Sequence, residues 1–333
     1  MERKHLSFLY SDEYEHPFDR HALNRLEKTR GLHMVSEKIL KAGFEKYLII
    51  RHTADNIQVT KDTIPEVYAL LEEACQVLDM EQVPELYIYL EDKIKSFTTG
   101  RDRQLIAISS GSIDLLSEDE LYFLIARELG HIRSNHVLYR MMADSVQTLS
   151  KIAGDISMGL SNWVSYPLQI ALMHWYRMSE FTADRAGLLA CQCLDTCLKA
   201  FIKIAGLPQV YHDRVSVADY RKQVQAFHDF QESNFDRLIQ FAANVEYDQP
   251  FLAIRADQLI TWHDVGAYQQ ILNRIPLLKE GNHTDCESIN CPQPFDEYDN
   301  FCTECGKRLR GGTAALPSAP PPPPQVIRAP NSK

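Results

Sequence analysis

The stretch Leu121-Tyr-Phe-Leu-Ile-Ala-Arg-Glu-Leu-Gly-His-Ile-Arg-Ser-Asn-His136 decides the fold. The segment Ser117-Glu-Asp-Glu120 precedes it and has the pattern of a capping box, with a Ser at the N-cap and a Glu three residues later. Leu124, Glu128 and His131 recur at helical spacing, so the last two lie on one face. We therefore predict a buried helix that carries chemical groups.

This helix differs at one position from the motif H-E-x-x-H. In that motif two His residues one turn apart bind zinc, and the Glu is the general base for the metal-bound water. Arg127 stands in place of the first His. A guanidinium does not ligate a metal, because it stays protonated and offers no lone pair. Glu128 is thus the predicted catalytic base, and His131 is a remaining metal ligand in a site whose catalytic zinc is weakened or lost.

The composition excludes several classes of protein. The chain has 333 residues, of which 45% are hydrophobic and 24% are charged, which is typical of globular domains. The net charge of −10 argues against a nucleic-acid partner. The N-terminus lacks the apolar region of a secretory signal, and the eight Cys do not resemble a disulfide framework. Both observations predict a reducing compartment, the cytoplasm.

The longest uncharged run extends from Ile156 to Tyr176 and contains Pro167. Because Pro167 divides the run into halves too short to cross a bilayer, we predict a buried or interfacial helical hairpin and no transmembrane span. A peripheral membrane contact stays open as an alternative.

The order of the predicted elements indicates the fold class. Residues 1–15 are expected to be loosely ordered, residues 45–60 to contain one or two strands, and Pro65 to begin a helix that reaches about Asp79. Leu86–Leu90 and Leu105–Ile108 resemble strands, and helices dominate from Ser117 onward. Strands early and helices later predict an α+β, mainly helical domain over residues 1–280.

Four cysteines define a second unit. Cys286, Cys291, Cys302 and Cys305 form two closely spaced pairs, which is typical of a structural zinc site in a zinc ribbon, here residues 281–310. The Pro-rich residues 311–333 are predicted to be disordered or polyproline II, and could bind an aromatic groove of a partner.

Three further cysteines lie in helical sequence: Cys191, Cys193 and Cys197. At helical spacing Cys193 and Cys197 share a face. We predict buried thiols here and not a metal site.

The chain resembles a known family at these positions. It is similar, over about residues 17–278, to the HtpX and CAAX-prenyl-protease-like (Ste24-type) gluzincin metallopeptidases, which combine H-E-x-x-H with a Glu ligand in E-x-x-x-A-D-R. Glu180-Phe-Thr-Ala-Asp184-Arg185 matches the second motif. The resemblance implies a zincin-like core in which His131 and Glu180 are ligands, while Asp184, Arg185 and a later Arg255 support the site.

Three departures all affect that site. Arg127 replaces a ligand, and Lys95-Ser96-Phe97 stands where the family has Asn-Ala-Phe on the strand that pairs with substrate. Gln249-Pro250 stands in place of a His-Pro pair. The departures favour a degenerate site in a protein that binds a protein or peptide ligand. A working zinc endopeptidase with a replacement ligand, and an adaptor acting through the ribbon and tail, are the alternatives.

Arg127 is expected to occupy the vacated position. One turn before His131, it is predicted to pair with Glu180, and Glu128 is a further candidate partner. The alternative is that Arg127 extends to solvent. His136, five residues after His131, is predicted to be structural. Arg127→Ala is expected to cost on the order of 3–5 kcal/mol by leaving Glu180 unpaired, and Arg127→His to raise zinc binding.

The ribbon gives a first test. Cys302→Ser in the full chain is expected to remove about one zinc per chain, because a four-thiolate site requires every ligand. Metal content by mass spectrometry and limited proteolysis of the segment measure the loss. Cys193→Ser, outside the paired spacing, is the control. Unchanged metal content and protease resistance in Cys302→Ser would exclude the zinc ribbon.

Overall fold

The computed structural model describes residues 3–41, 43–152, 166–231 and 251–273. The chain divides into two units, residues 1–274 and 275–333, and all described residues belong to the first. Several sequence predictions therefore lie outside the described residues. They concern the four ribbon cysteines, the Pro-rich tail, the pair Gln249-Pro250 and the first part of the uncharged run.

The described part of the chain is mainly helical with a small sheet early in the sequence, as the α+β prediction requires. The helices are α1 (Ser11–Tyr14), α2 (Pro17–Glu27), α3 (Leu32–Lys41), α4 (Phe44–Asp55), α5 (Pro65–Val77), α6 (Ser110–Leu115), α7 (Glu118–Arg133), α8 (Val137–Ile152), α9 (Tyr166–Cys191), α10 (Leu194–Ile204), α11 (Val217–Gln231), α12 (Leu252–Asp264) and α13 (Ala267–Asn273). The strands are β1 (Ile57–Val59), β2 (Glu85–Tyr89), β3 (Ser96–Thr99) and β4 (Leu105–Ser109).

The sheet has the strand order β1-β2-β4-β3. Strands β2 and β4 are parallel, and the two outer pairs are antiparallel. Every residue of β4 is buried, as expected for a central strand covered on both faces. Strand β3 lies at an edge of the sheet, where Ser96 pairs with Ile108 of β4.

Helix α7 is the centre of the domain. Its capping box is present as predicted, since Ser117 accepts from the backbone of Glu120 and the Glu120 side chain accepts from the backbone of Ser117. The helix is buried continuously from Glu120 to Ile132. A helix covered on all sides belongs in the interior, and α7 packs most extensively against α9. This packing places the polar residues of both helices in one buried pocket.

The predicted helix from Pro65 is confirmed as α5. Its apolar face packs into the same core as α7 and α9; the predicted members Val67, Leu70, Leu71, Ala74 and Val77 are all buried. A second cluster, around Trp175 and Leu172 of α9, packs against α2 and α3. Helices α2 and α3 therefore share this second cluster with α8 and α9.

One local prediction is wrong, and another holds only for the end of its segment. Residues 1–15 are not loosely ordered over the part that is described, because Leu6, Leu9 and Tyr14 are buried in the main core. Arg3 also donates to Glu73 of α5 at 2.7 Å. These apolar residues follow no regular period, so only their tertiary contacts order the segment.

Residues 45–60 contain a single short strand, β1, preceded by helix α4. The β-branched residues of α4 suggested a strand, but they are only mildly unfavourable in a helix. Helix α4 contacts β2 and β3, and Ile49 packs beside Tyr89 and Phe97. Tertiary packing therefore decided the local structure here.

Within the described ranges, no helix has the length and apolar character needed to cross a membrane. The described helix α9, Tyr166–Cys191, contains Pro167, and the hairpin predicted for residues 156–176 lies partly outside the described residues and stays a prediction.

The contact of α7 with α9 predicts a stability effect. A Cβ at Gly130 would lie 2.5 Å from Cβ of Ala186 and 3.4 Å from Cα of Ala183. Gly130→Ala is expected to lower the free energy of unfolding by about 1–2 kcal/mol, because overpacking outweighs the better helix propensity of Ala. Urea unfolding measures the loss, and Gln223→Ala at an exposed position of α11 is the control. Equal stability of both variants would contradict this packing.

Candidate active site

Four helices and one strand supply a single buried cluster of polar side chains. Helix α7 provides Arg127, Glu128 and His131, and helix α9 provides Glu180 and Asp184. The remaining members come from β3, α8 and α12; they are Ser96, Arg140 and Arg255. All except Ser96 are buried. The cluster is therefore shielded from water, so its charges interact strongly.

Arg127 joins α7 to α9. Its Nη2 donates to Oε2 of Glu180, and its Nε donates to Oδ1 of Asp184 at 2.6 Å. The contact with Glu180 predicted from the sequence is therefore present, and the alternative in which Arg127 extends to solvent is wrong. The second partner is Asp184, and the structure has no hydrogen bond between Arg127 and Glu128. Both carboxylates raise the pKa of Arg127 despite its burial, so the guanidinium stays charged.

Arg140 is a second cation at the site, and the sequence analysis missed it. Its Nη1 donates to Oε1 of Glu180 at 2.7 Å and to Oγ of Ser179 at 3.2 Å. Its Nη2 donates to the hydroxyl of Tyr176 at 3.2 Å, and the guanidinium lies 4.2 Å from the centroid of that ring. The only signal in the sequence is a charged residue between apolar Tyr139 and Met141, which does not specify a partner.

Arg255 completes the cluster from α12. Its Nε and Nη2 donate to the two oxygens of Asp184 at 2.8 and 2.6 Å, a bidentate pairing. The same Nη2 lies 3.7 Å from Oε2 of Glu180. The structure thus brings Asp184 and Arg255 together beside Glu180.

Arg185 is the predicted site residue that lies apart from this cluster. It donates to the carbonyls of Tyr14 and Glu15 at 3.3 and 3.1 Å. Its guanidinium also lies over the ring of Trp262, 4.9 Å from the centroid. Arg185 therefore holds the N-terminal segment against α9 and α12.

The surroundings of Glu180 fix its ionisation. Burial by itself would raise the pKa of the carboxyl group, but the charges of Arg140 and Arg127 hold it well below its usual range. Burial and the nearby Arg140 lower the pKa of His131 well below its ordinary value. At neutral pH the pocket therefore contains a Glu180 carboxylate beside a neutral His131 imidazole.

Glu128 lies on the side of the pocket that faces β3. Its Oε1 accepts a hydrogen bond from Oγ of Ser96 at 2.6 Å, and its buried Oε2 has no partner. Burial raises the pKa of Glu128, although Arg140 and Arg127 partly oppose this effect. A buried carboxyl group with a raised pKa is a suitable proton acceptor, as the sequence analysis expected of this residue.

A chain of hydrogen bonds orients His131. Its Nδ1 lies 3.0 Å from Nδ1 of His136, whose Nε2 lies 3.1 Å from Oδ2 of Asp19. Asp19 also accepts from Oγ1 of Thr182 at 2.5 Å. The predicted structural role of His136 agrees with this position behind the site. Asp19, on α2, was not found from the sequence because no motif connects it to His131.

The side chains present do not fit a catalytic zinc. Such a site needs three protein ligands and an open fourth position. In the part of the chain that the structure describes, no group of three or more His, Cys, Asp or Glu residues is arranged to hold a metal ion. His131 Nε2 lies 3.5 Å from Glu180 Oε1, but both oxygens of Glu180 already accept from guanidinium groups. Hydrogen bonds from Arg127 and Arg140 thus use both oxygens of the carboxylate that a metal ion would require as a ligand.

The cysteine pair nearest in space is not the one that the spacing predicted. Cys191 and Cys197 are buried with their sulfurs 3.2 Å apart, whereas Cys193 is exposed. The prediction that Cys193 and Cys197 share a face is wrong, because α9 ends at Cys191 and a new helix begins at Leu194. All three are free thiols; the predicted burial is confirmed for Cys191 and Cys197 and is wrong for Cys193.

An open cleft of about 710 Å³ lies beside the edge strand β3. Lys95, Ser96 and Phe97 line one side, and Arg127 and Arg255 reach it from the buried cluster. Its other lining residues come from the end of β2, the loop before β3, helices α6, α7, α9 and α10, and the segment after α10; they are Tyr89, Asp92, Lys93, Ile94, Leu115, Leu124, Tyr176, Lys203, Ile204, Gly206, Leu207, Pro208 and Gln209. The cleft is therefore bordered on one side by the edge of the sheet.

The double pairing of Glu180 changes the stability expected from mutations. The sequence-based cost of Arg127→Ala assumed that Glu180 would be left unpaired, but Arg140 still pairs with Glu180 in that variant. The loss for either single change to Ala should therefore lie at or below about 3 kcal/mol. Changing Arg127 and Arg140 together should cost more than the sum of the single losses, by about 0.5–3 kcal/mol.

A double-mutant cycle measured by urea unfolding checks this coupling. Arg185→Ala combined with Arg127→Ala is the control pair, since Arg185 does not contact Glu180. Strict additivity of Arg127→Ala and Arg140→Ala would show that the two arginines do not share one carboxylate.

Comparisons with known proteins agree with this geometry. The sequence model of Peptidase family M48 matches residues 62–259, more than half of the chain. Among similar proteins is Plastoglobule-localized metallopeptidase 48, chloroplastic, of Arabidopsis thaliana, which is 25% identical over 269 residues, 80% of this chain and 76% of that protein. A Protease HtpX homolog of Salinibacter ruber is 28% identical over 145 residues, 39% of this chain and 52% of that protein.

A Protease HtpX homolog of Trichormus variabilis is 33% identical over 112 residues, 33% of this chain and 36% of that protein. The chain therefore spans about half or less of the length of these HtpX homologs. No solved structure matches the chain significantly. The family resemblance expected from the two motifs is confirmed by the matching family, and the chain belongs to Peptidase family M48.

Proposed function

We propose that this chain uses a metallopeptidase fold to bind an extended segment of a protein or peptide, without efficient hydrolysis. One observation carries the proposal: each oxygen of the Glu180 carboxylate accepts a hydrogen bond from a different arginine. In a zinc peptidase of this type, the metal activates the water that attacks the peptide bond. A pocket that pairs its carboxylate with Arg127 and Arg140 has little affinity left for that metal.

Glu128 alone does not supply the missing chemistry. The carboxyl group can accept a proton, but without a metal no group in the pocket lowers the pKa of an attacking water. The oxygen Oε1 is also occupied by the hydroxyl of Ser96. The role of Glu128 is then to position Ser96 on the edge strand.

Strand β3 supports the binding part of the proposal. Lys95 and Ser109 form a hydrogen-bonded pair, since Ser109 N donates to Lys95 O at 2.9 Å. The next residue, Ser96, lies opposite Ile108. Because bonded and non-bonded pairs alternate in an antiparallel ladder, we infer that the N–H and C=O of Ser96 point away from β4 and toward the open edge. An extended peptide in the cleft can add to the sheet through these two groups.

A second candidate function is a working zinc endopeptidase with a replacement ligand. Two buried atoms favour it, since Oε2 of Glu128 and Nε2 of His131 have no hydrogen-bond partner. Unpaired acceptor atoms in a dry pocket are costly, and an incoming cation would satisfy them. Water is the competing explanation, because it would serve these two atoms equally well.

The third candidate is an adaptor that acts through a structural zinc at Cys286, Cys291, Cys302 and Cys305 and through the Pro-rich tail. It remains a proposal that rests on sequence alone.

The free thiols Cys75, Cys191, Cys193 and Cys197 support a reducing compartment for the protein.

Two assays on the full chain test the main proposal. Fluorescent, reduced and unfolded casein is the probe for both, with anisotropy measuring binding and gel electrophoresis measuring cleavage. We expect saturable binding that a zinc chelator does not abolish, and no cleavage over the same time. Robust cleavage that the chelator stops would favour the endopeptidase.

Two variants of one residue test the strand-addition geometry. Ser96→Pro removes the outward N–H and should weaken casein binding about tenfold, the equivalent of one hydrogen bond of about 1.4 kcal/mol. Ser96→Ala keeps the backbone donor and loses only the hydroxyl, so its affinity should stay within about threefold. Equal affinities of the two variants would reject peptide addition at β3.

A further inference from the structure

We propose that Arg127 and Arg140 jointly replace the charge of one divalent metal ion, and that the pocket binds zinc only when both arginines are changed. This inference rests on the proposed absence of a catalytic metal and deepens it. The sequence directs attention to Arg127 alone. The geometry adds Arg140, which lies on a different helix and contacts the other oxygen of the same carboxylate.

The Glu180 carboxylate meets the same positive charge in both forms of the pocket, the form with zinc and the form with two arginines. A zinc ion brings two positive charges to a carboxylate, and two guanidinium groups bring the same number. Arg127 donates a hydrogen bond to Oε2 of Glu180, and Arg140 donates one to Oε1 at 2.7 Å. Because the two arginines use different oxygens, removing one leaves the other in place.

Arg140 is held independently of Arg127. The hydroxyls of Ser179 and Tyr176 both accept from it at 3.2 Å, and the ring of Tyr176 lies against its guanidinium. These partners all belong to α9, and Arg140 itself is only 2% exposed. A substitution of Arg127 should therefore leave the contact between Arg140 and Glu180 in place.

The position of Arg140 conflicts with metal binding. The oxygen of Glu180 nearest to His131 Nε2 is Oε1, at 3.5 Å, and this is the oxygen that Arg140 holds. An ion bound by both His131 and Glu180 would lie beside the Arg140 guanidinium. Two cations that share one oxygen in a buried pocket repel each other strongly. Arg127→His supplies the missing ligand but does not remove this repulsion.

Four full-length proteins test the inference: the wild type, Arg127→His, Arg140→Gln and the double variant. Gln at position 140 retains a hydrogen-bond donor near Ser179 and Tyr176 without the charge. Each protein is equilibrated with zinc, dialysed, and analysed for zinc per chain by mass spectrometry. The wild-type count is the baseline, so zinc bound elsewhere in the chain cancels.

We expect the double variant to gain about one zinc per chain over this baseline, as the H-E-x-x-H ligand set with Glu180 is then complete. Neither single variant should gain zinc, so the sequence-based expectation that Arg127→His alone raises zinc binding is replaced, because Arg140 still holds Oε1 of Glu180 in that variant. The melting temperature gives a second readout, since zinc should raise it in the double variant alone. Adding Glu180→Gln to the double variant removes a ligand and should abolish both effects.

Two results would contradict the inference, and a third would contradict the proposed function. A full additional zinc in Arg127→His alone would overturn the inference, as would a double variant without a gain. If the double variant folds only with metal, it is refolded with zinc and the zinc retained by the folded fraction is counted. His131→Ala in the wild-type background should leave the zinc count unchanged. A decrease would mean that the core already holds metal, which contradicts the proposed function itself.

Discussion

The Glu180 carboxylate is the charge on which the architecture of this domain depends. It is almost completely buried, and a buried carboxylate is tolerated only when it is paired. Arg127 of α7 and Arg140 of α8 provide that pairing, and Arg255 of α12 adds a more distant positive charge. Three helices therefore meet α9 at one residue, and the position of each is constrained by the same negative charge.

Such a pairing explains how the fold of Peptidase family M48 persists with Arg127 in place of the first histidine of the motif. A buried ion pair need not add net stability relative to apolar side chains, but removing one member of a pair is costly. The pocket accordingly keeps cations beside its carboxylates. Asp184 follows the same rule, since Arg127 and Arg255 together surround its two oxygens.

The cleft and the buried cluster have separable roles. The cleft is bordered by the outward-facing backbone of β3, which needs no metal to accept an extended peptide. Ser96 links the two parts, because its backbone faces the cleft while its hydroxyl donates to Glu128. In the proposed function, binding of a polypeptide does not require activation of water, since different atoms perform the two tasks.

The sequence by itself determined the family, the central helix with its capping box, helix α5 and the meeting of Arg127 with Glu180. The two helices follow from local spacing and capping, whereas the family and the meeting of Arg127 with Glu180 follow from the resemblance carried by the two motifs. Only the tertiary structure decided the place of Arg140, the order of the N-terminal segment and the helical state of α4. Arg140 and Glu180 are 40 positions apart on different helices. Local periodicity does not encode which side chains meet across such a distance, because the packing of whole helices brings them together.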